Sequence, residues 1–583
     1  MTDPAPRESP AARPEPAHGP PAGSRPALAR AGPLIKPRPT AGDASAGDIE
    51  GALGRIRAGD EQYSGWRRQL VTFLAIVGPG LIVMVGDNDA GGVATYAQAG
   101  QNYGYSLLWV LLLLVPVLIV NQEMVARLGA VTGVGHAKLI YERFGKFWGS
   151  FSVIDLFLLN FLTIVTEFIG IALAMSYFGV SPYISVPIAA ATLIAITASG
   201  SFRRWERAMF LFIGASLVLF VPLVIFSHPD AGAIAYHFFV PGVHGGVSSN
   251  AVLLIIAVVG TTVAPWQLFF QQSNVIDKRI TPRFIRYERA DTFLGSLVVV
   301  ISAAVILVAT VYAVAGTSRA GHFVDALGVA EAFHARNSFL GAVFALVLLD
   351  ASIIGAAAVT LSTSYAFGDV FNLQHSLHRR FRDAKGFYAS YTMVIVLAAG
   401  IVLVPGAPLG LLTTAVQALA GVLLPSASAF LLLLCNDPQV LGPWANPRWL
   451  NVVAGIIIGL LLTLSGTLVV TTLFPSLPAP QVLVWIAVPL GVGSAVAYGW
   501  LRFTAARRVL ATRAGVAQAA PRRTAFAGVT RAQRASWRMP PLALLKPVAW
   551  SPLTKLTMAM LWAYLVISVL LLIVKATRLG TGG

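Results

Sequence analysis

The sequence predicts an all-α polytopic membrane protein whose core is an inverted repeat of five plus five helices. Three observations predict it. Of 583 residues, 56% are apolar and only 11% are Asp, Glu, Lys or Arg, whereas soluble domains carry roughly 25% charge. From Leu70 onward, apolar segments long enough to cross about 30 Å of hydrocarbon recur between short polar joints. The first and sixth segments are each interrupted near mid-membrane. Because five is odd, those two run in opposite directions, the arrangement of a transporter with two discontinuous helices meeting at the midplane.

Taken in order, the thirteen segments span 71–99, 106–126, 149–178, 183–199, 206–227, 248–275, 291–316, 338–367, 387–404, 409–435, 449–474, 481–502 and 557–575. Residues 1–66 are proline-rich and poor in large apolar side chains, so they read as a disordered cytoplasmic tail without the apolar core of a signal peptide. Residues 67–436 hold the ten-helix core, 437–505 the eleventh and twelfth helices, 506–556 a basic cytoplasmic linker, and 557–583 the thirteenth helix with a short tail.

The net charge of +17 encodes orientation. Cytoplasmic joints retain Lys and Arg, and with the N-terminus inside, 28 of the 42 basic residues fall in cytoplasmic joints, against Arg319 and Arg336 in outside joints and Lys575 and Arg578 after the last helix. The expected location is a bacterial inner (plasma) membrane. The stretch from Arg502 to Lys555 has no acidic residue; it suits anionic lipid headgroups, and no nucleic acid partner is expected. The single cysteine, Cys435, excludes an intrachain disulfide and any multi-cysteine metal site, leaving oxygen and imidazole ligands. Neither a nucleophile–base–orienter triad nor a cofactor loop is present, which argues against an enzyme and against a bound cofactor.

Ionisable groups inside hydrocarbon cost several kcal/mol unless they are paired or face water, so they mark function by default. The first segment carries Asp87-Asn88-Asp89 at its middle, followed by Gly91 and Gly92, which tolerate unwinding. Residues two apart point about 200° apart on a helix, so both carboxylates face one site only where the chain unwinds. The sixth segment reads Gly260-Thr261-Thr262-Val263-Ala264-Pro265-Trp266-Gln267, and Pro265 breaks it at mid-membrane. Both features also occur as packing kinks or as paired buried carboxylates. Elsewhere, Glu123 and Arg127 are placed to pair at i, i+4, and Asp350 either lines a pathway or pairs with a neighbour.

Gly78-Pro79-Gly80, the Asp87–Gly92 run, Gln98-Ala99-Gly100, Tyr105–Leu112, Gln122, Ala126–Gly133, Glu167–Gly170 and Asn446-Pro447-Arg448-Trp449 together resemble the Nramp divalent-metal transporters, closest to the Nramp-related magnesium transporter branch. The resemblance runs from about Gly78 to about Trp449 and excludes both tails. It implies a leucine-transporter-type fold and divalent-metal import by alternating access, with ligands from an Asp-Pro-Gly-Asn turn and a Met-Pro-His turn. On that pattern the family aspartate is Asp89, its proline is Ala90, its glycine is Gly91 and its asparagine is Gly92. Asp87 and Asn88 stand where the family is apolar or aromatic. In the sixth segment the family methionine is Ala264, the first histidine is Trp266 and the second is Gln271. Backbone-carbonyl ligands fall on Gly86 and Thr261, and the polar residue of the tenth segment is Gln417.

Losing the thioether and gaining carboxylate and amide oxygens turns such a site hard, which suits Mg²⁺, with Mn²⁺ second. Asp87 and Asp89 are expected to supply charge, Asn88, Gln267 and Gln417 oxygen, and Gly86 and Thr261 carbonyls, with Ala264 leaving room. Trp266, Gln271, Glu167, Gly91, Gly92 and Pro265 are expected to line or gate the path. Glu167 is retained, but Ile164 and Phe157 replace the family's other acidic positions and both histidines are gone. Weak or absent proton coupling follows, unless Asp155 substitutes; the membrane potential alone would drive a divalent cation inward. Two alternatives are an ordinary proton-coupled Mn²⁺/Fe²⁺ symporter and a non-transporting sensor of the kind found among plant ethylene-signalling relatives.

Overall fold

The computed structural model describes residues 48–56, 65–493 apart from 199, 374, 380, 407 and 475, and then 495, 499, 528–545, 548, 555, 558–567 and 570. A short antiparallel hairpin, β1 (Ile49–Gly51) and β2 (Gly54–Ile56), precedes the helices. In order these are α1 (Trp66–Ile76), α2 (Pro79–Val85), α3 (Ala90–Tyr103), α4 (Leu108–Thr132), α5 (His136–Phe144), α6 (Lys146–Tyr177), α7 (Pro182–Ala198), α8 (Phe202–Ser227) and α9 (Ala231–Phe239). The second half holds α10 (Ser249–Thr262), α11 (Pro265–Asp277), α12 (Ile285–Val314), α13 (Ala326–Arg336), α14 (Ser338–Val370), α15 (Lys385–Val402), α16 (Leu409–Cys435), α17 (Pro438–Leu441) and α18 (Arg448–Leu473). Beyond these lie α19 (Ala479–Gly493), α20 (Arg531–Ser536) and α21 (Met558–Ile567).

Among the described residues nine helices are long and apolar enough to cross a membrane, ten if α1 and α2 count as one bent span. The first expected segment, 71–99, is three helices rather than one. Gly78, at φ 150°, and Pro79 turn α2 by 53° from α1, and the chain unwinds again between Val85 and Ala90 before α3. A single 3₁₀ turn, Gly104–Leu107, then joins α3 to α4. The twelfth and thirteenth segments are represented by the shorter α19 and α21, with most of the rest of each outside the described residues.

The repeat is visible in which helices touch. Segment n packs on segment n + 5 four times over: α3 on α10, α4 on α12, α6 on α14 and α7 on α15. This is what a pseudo-twofold axis in the membrane plane produces.

The basic joints meet at one end of the bundle. There Arg143 pairs with Asp437, Arg289 with Glu123, Lys138 with Asn372, Lys278 with Glu206, and Arg127 binds Asn446 and the Trp444 carbonyl. The opposite joints meet at the far end through neutral bonds, such as Gln101 Nε2 to the Arg319 carbonyl (2.7 Å), the Phe323 amide to Asn102 (3.2 Å) and Trp109 Nε1 to the Gly242 carbonyl (2.9 Å).

Two parts of the basic end depart from expectation. Residues 48–56, assigned to a disordered tail, fold because Ile49 and Ala52 bury against α1 and the Ala52 amide donates to Glu206. Part of the basic linker also folds back: Trp444 donates to the Arg534 carbonyl (2.8 Å), the Arg534 guanidinium lies 4.2 Å from the Trp444 ring centroid, and Trp537 fills the space beside Gly442. Residues 1–47, 57–64 and most of 506–556 lie outside the described residues.

Candidate functional site

The two interruptions lie against each other at the centre of the bundle. Gly86 closes α2, Asp89 caps α3 by accepting from the Gly92 amide (2.7 Å), and Pro265 opens α11. Pro265 is also the i+4 residue to Thr261, so the Thr261 carbonyl loses its helical partner. Among the described residues, no backbone N–H of the turn donates to the carbonyls of Gly86, Asp87 or Asn88.

Glycines let the two breaks approach. A Cβ on Gly86 would lie 3.4 Å from the Trp266 ring, and one on Gly92 would lie 2.8 Å from the Asp87 carbonyl and 3.1 Å from Thr261 Oγ1. A Cβ on Gly91 would overlap Gln417 Nε2 at 1.6 Å. The lack of a side chain at Gly92 therefore lets the Asp87 carbonyl and Thr261 Oγ1 lie close to the start of α3.

Asp87 is fully buried, and neither of its carboxylate oxygens has a hydrogen-bond partner; it faces the Gln267 amide without completing a bond. Asn88 Oδ1, Thr261 Oγ1 and Gln417 Nε2 are likewise buried without partners. Such groups each cost about 1–3 kcal/mol when left unsatisfied, and Asp87, Thr261 and Gln417 around one break describe a place for a polar guest. Asp89 is held differently. Besides the Gly92 amide it contacts the Glu167 carboxyl, whose Oε2 accepts from the Ala90 amide (3.0 Å).

The expected residues are thus mostly gathered, with two exceptions. Asn88 donates its amide to the Val299 carbonyl of α12 (3.4 Å), which turns it to the seventh segment. Gln271 lies one turn beyond Gln267, toward the basic end, donating to Thr292 (3.1 Å). Trp266 packs edge-on against Phe270, and its carbonyl accepts from Ser362 (3.0 Å), consistent with a wall. Ala264 fills the break between α10 and α11 as a buried methyl.

Several participants escaped the sequence. Gln122 of α4 donates to Gln267 (2.7 Å), and Tyr96 of α3 bonds Thr262 (2.8 Å), tying the break of the first segment to that of the sixth. Tyr96 lies seven residues after Asp89, on the same helix face, and that spacing was the available signal. Asp155 is twelve residues before Glu167 on α6, roughly 18 Å away at 1.5 Å per residue, so it does not join this cluster. Asp350 accepts from Ser216, and the Glu123–Arg127 pair forms at 3.1 Å.

The family model described as "Natural resistance-associated macrophage protein-like" matches residues 80–471, two thirds of the chain and the whole of this site. The chain belongs to the Nramp family. Among Nramp relatives, the "Divalent metal cation transporter MntH" of Bacillus subtilis is 27% identical over 446 residues, covering 73% of this chain and 99% of that protein. MntH 1 of Pseudomonas aeruginosa is 29% identical over 418 residues, covering 69% and 92%. The crystal structure of the Eremococcus coleocola manganese transporter with a bis-isothiourea compound superposes with a TM-score of 0.58 at 21% identity, over 80% of this chain and all of that one. A histidine-to-alanine mutant of the same transporter gives 0.57, also at 21% identity, over 77% and 97%. These structures establish the shared fold.

Proposed function

We propose that this Nramp protein imports divalent metal ions by alternating access, Mg²⁺ first and Mn²⁺ second, with the basic end in the cytoplasm of a bacterial inner membrane. The relatives named as divalent-metal transporters support metal as the cargo. The observation that carries the finer reading is Asp87, a buried carboxylate with both oxygens unpartnered, added at a break from which the family's thioether and imidazole have been removed. Asp87, Asp89, the freed carbonyls of Gly86 and Thr261, and the amides of Gln267 and Gln417 make a hard donor set. Among the described residues no three His, Cys, Asp or Glu side chains gather to enclose a metal. The ion therefore keeps part of its water, as Mg²⁺, which dehydrates reluctantly, requires.

One observation favours the proton-coupled alternative: the Glu167 carboxyl lies against Asp89, a pair that could exchange a proton as a cation binds. Uptake into dye-loaded proteoliposomes at fixed potential, comparing Mg²⁺, Mn²⁺, Ca²⁺ and Cd²⁺, separates the readings. Mg²⁺ influx without lumen acidification, lost in Asp89→Ala, is the expected result. Unchanged influx in Asp89→Ala sinks the site, and metal-dependent acidification restores proton coupling.

A further inference from the structure

Between the central break and the basic end, one face of α11 carries Gln267, Gln271, Asn274 and Lys278 at i, i+4, i+7 and i+11, a single polar stripe. Gln271 Oε1 and both amide atoms of Asn274 are buried without partners. Across from the stripe, Thr292 of α12 receives Gln271, and one turn closer to the basic end α12 presents Glu288. Glu288 is 1% exposed, and neither carboxylate oxygen has a partner.

Its surroundings are charged. Asp291, Lys278 and Glu206 lie near enough to act on its charge. Asp291 is occupied in clasping the start of α2, accepting from the amides of Gly78 (3.1 Å), Gly80 (2.7 Å) and Leu81 (3.1 Å). Glu206 is occupied by Lys278 (2.6 Å) and the Ala52 amide, and Lys278 also donates to the Val77 carbonyl (2.8 Å). Arg203 stands exposed beyond Glu206. Three buried carboxylates thus surround one buried ammonium, and the carboxylate left over is Glu288. A buried charge without a counter-ion is strongly disfavoured, so this position is neutralised either by a proton or by a cation.

We propose that Glu288 anchors a second cation site, where a hard divalent cation that has left the Asp87–Asp89 turn is held before it passes out of the basic end. The proposal rests on the metal-transport reading of the central site. The unpartnered amides of Gln271 and Asn274 are the intervening contacts. With Asp291 and Glu206 already bonded, Glu288 supplies the direct ligand and the other two carboxylates supply field, the ion retaining water. A cation at Glu288 repels the Lys278 ammonium. Since Lys278 and Asp291 together hold Val77, Gly78 and Gly80 at the start of α2, the arriving ion loosens the start of that half-helix.

The test counts ions and rates on the full-length protein. Mn²⁺ binding to the purified chain in detergent is expected to give two ions per native chain, one for Glu288→Gln, and one for a variant carrying Asp87→Asn with Asp89→Asn. In proteoliposomes Glu288→Gln is expected to lower maximal Mn²⁺ influx about tenfold with little change in the half-saturating concentration, and Glu288→Asp to recover most of it. Lys278→Met, which removes the competing positive charge, is expected to tighten the second site about tenfold, an effect opposite in sign to that of misfolding. Native ion number and native maximal influx in Glu288→Gln would show that Glu288 holds a proton only, and overturn the proposal. Loss of one ion in Glu288→Gln with none lost in the double aspartate variant would keep this site and remove the central one; the reverse pattern would do the opposite.

Discussion

The two broken helices meet at one site but contribute opposite things to it. The first break carries all the charge: Asp87 has no protein partner, and Asp89 is fixed by the Gly92 amide and the Glu167 carboxyl. The second break carries none; Val263, Ala264 and Trp266 are apolar or donor-only, and its contributions are neutral: a freed Thr261 carbonyl, the Gln267 amide and the space beside a methyl. In the family pattern that the sequence resembles, each break supplies side-chain ligands. On the proposed reading, charge is concentrated in one turn, and the other supplies neutral donors and walls.

That contrast is broken most directly by exchanging side chains across it. Asp87→Asn is expected to reduce Mg²⁺ influx on the order of a hundredfold, since it removes charge from a ligand position, whereas Trp266→Phe should cost no more than about threefold. A larger loss for the tryptophan variant would mean that the second break binds the ion. Next in size, Ala264→Met writes a thioether back into the second break. It should move the ratio of Cd²⁺ to Mg²⁺ influx about tenfold toward Cd²⁺, and an unmoved ratio would place Ala264 away from the ion.

The smallest expected effect lies away from both breaks and calibrates them. His375, in the joint after α14, sits 3.2 Å from Asp369 and 2.8 Å from the Leu373 carbonyl. Burial alone pushes its pKa down, but the hydrogen bond and charge of Asp369, with the Leu373 carbonyl, outweigh burial and leave it raised. A raised histidine stabilises the folded state fully below its unfolded value, about pH 6.5, and that contribution disappears as pH rises through the folded value. The thermal midpoint of the purified protein should therefore lose a small increment as the pH rises above about 6.5. His375→Gln should flatten that increment while leaving transport selectivity alone; a pH dependence identical to the native one would exclude His375 as its source.

The fold was legible wherever the bilayer imposes a rule. Backbone groups in hydrocarbon must be bonded within helices, so apolar length and the alternation of basic joints revealed the core, and Pro265 revealed the second break; the first lies at Gly86–Asp89, just before Gly91 and Gly92, which are helical in the first turn of α3. Tertiary pairing was not legible. Ile49 and Ile56 are isolated apolar residues in a polar stretch, and they form a hairpin only because α1 and Glu206 are there to receive it. Asn88 looked like a ligand beside two aspartates, yet the unwound backbone turns it to Val299. Glu288 was hidden among Arg283, Arg286 and Arg289, where a carboxylate reads as surface; only the packing of α12 shows that it is buried.

Cys435 closes α16, where its thiol is buried and directed at the Met124 carbonyl of α4 (3.7 Å). A lone sulfhydryl sealed between two helices is shielded from maleimide and methanethiosulfonate reagents, so the native chain is already a near-blank background for labelling. Pairs of cysteines introduced on the exposed face of α1 and the start of α12 would take spin labels or fluorophores without first removing a native thiol. Distances across the basic end could then be followed by spectroscopy as ions are added, on a protein otherwise unaltered.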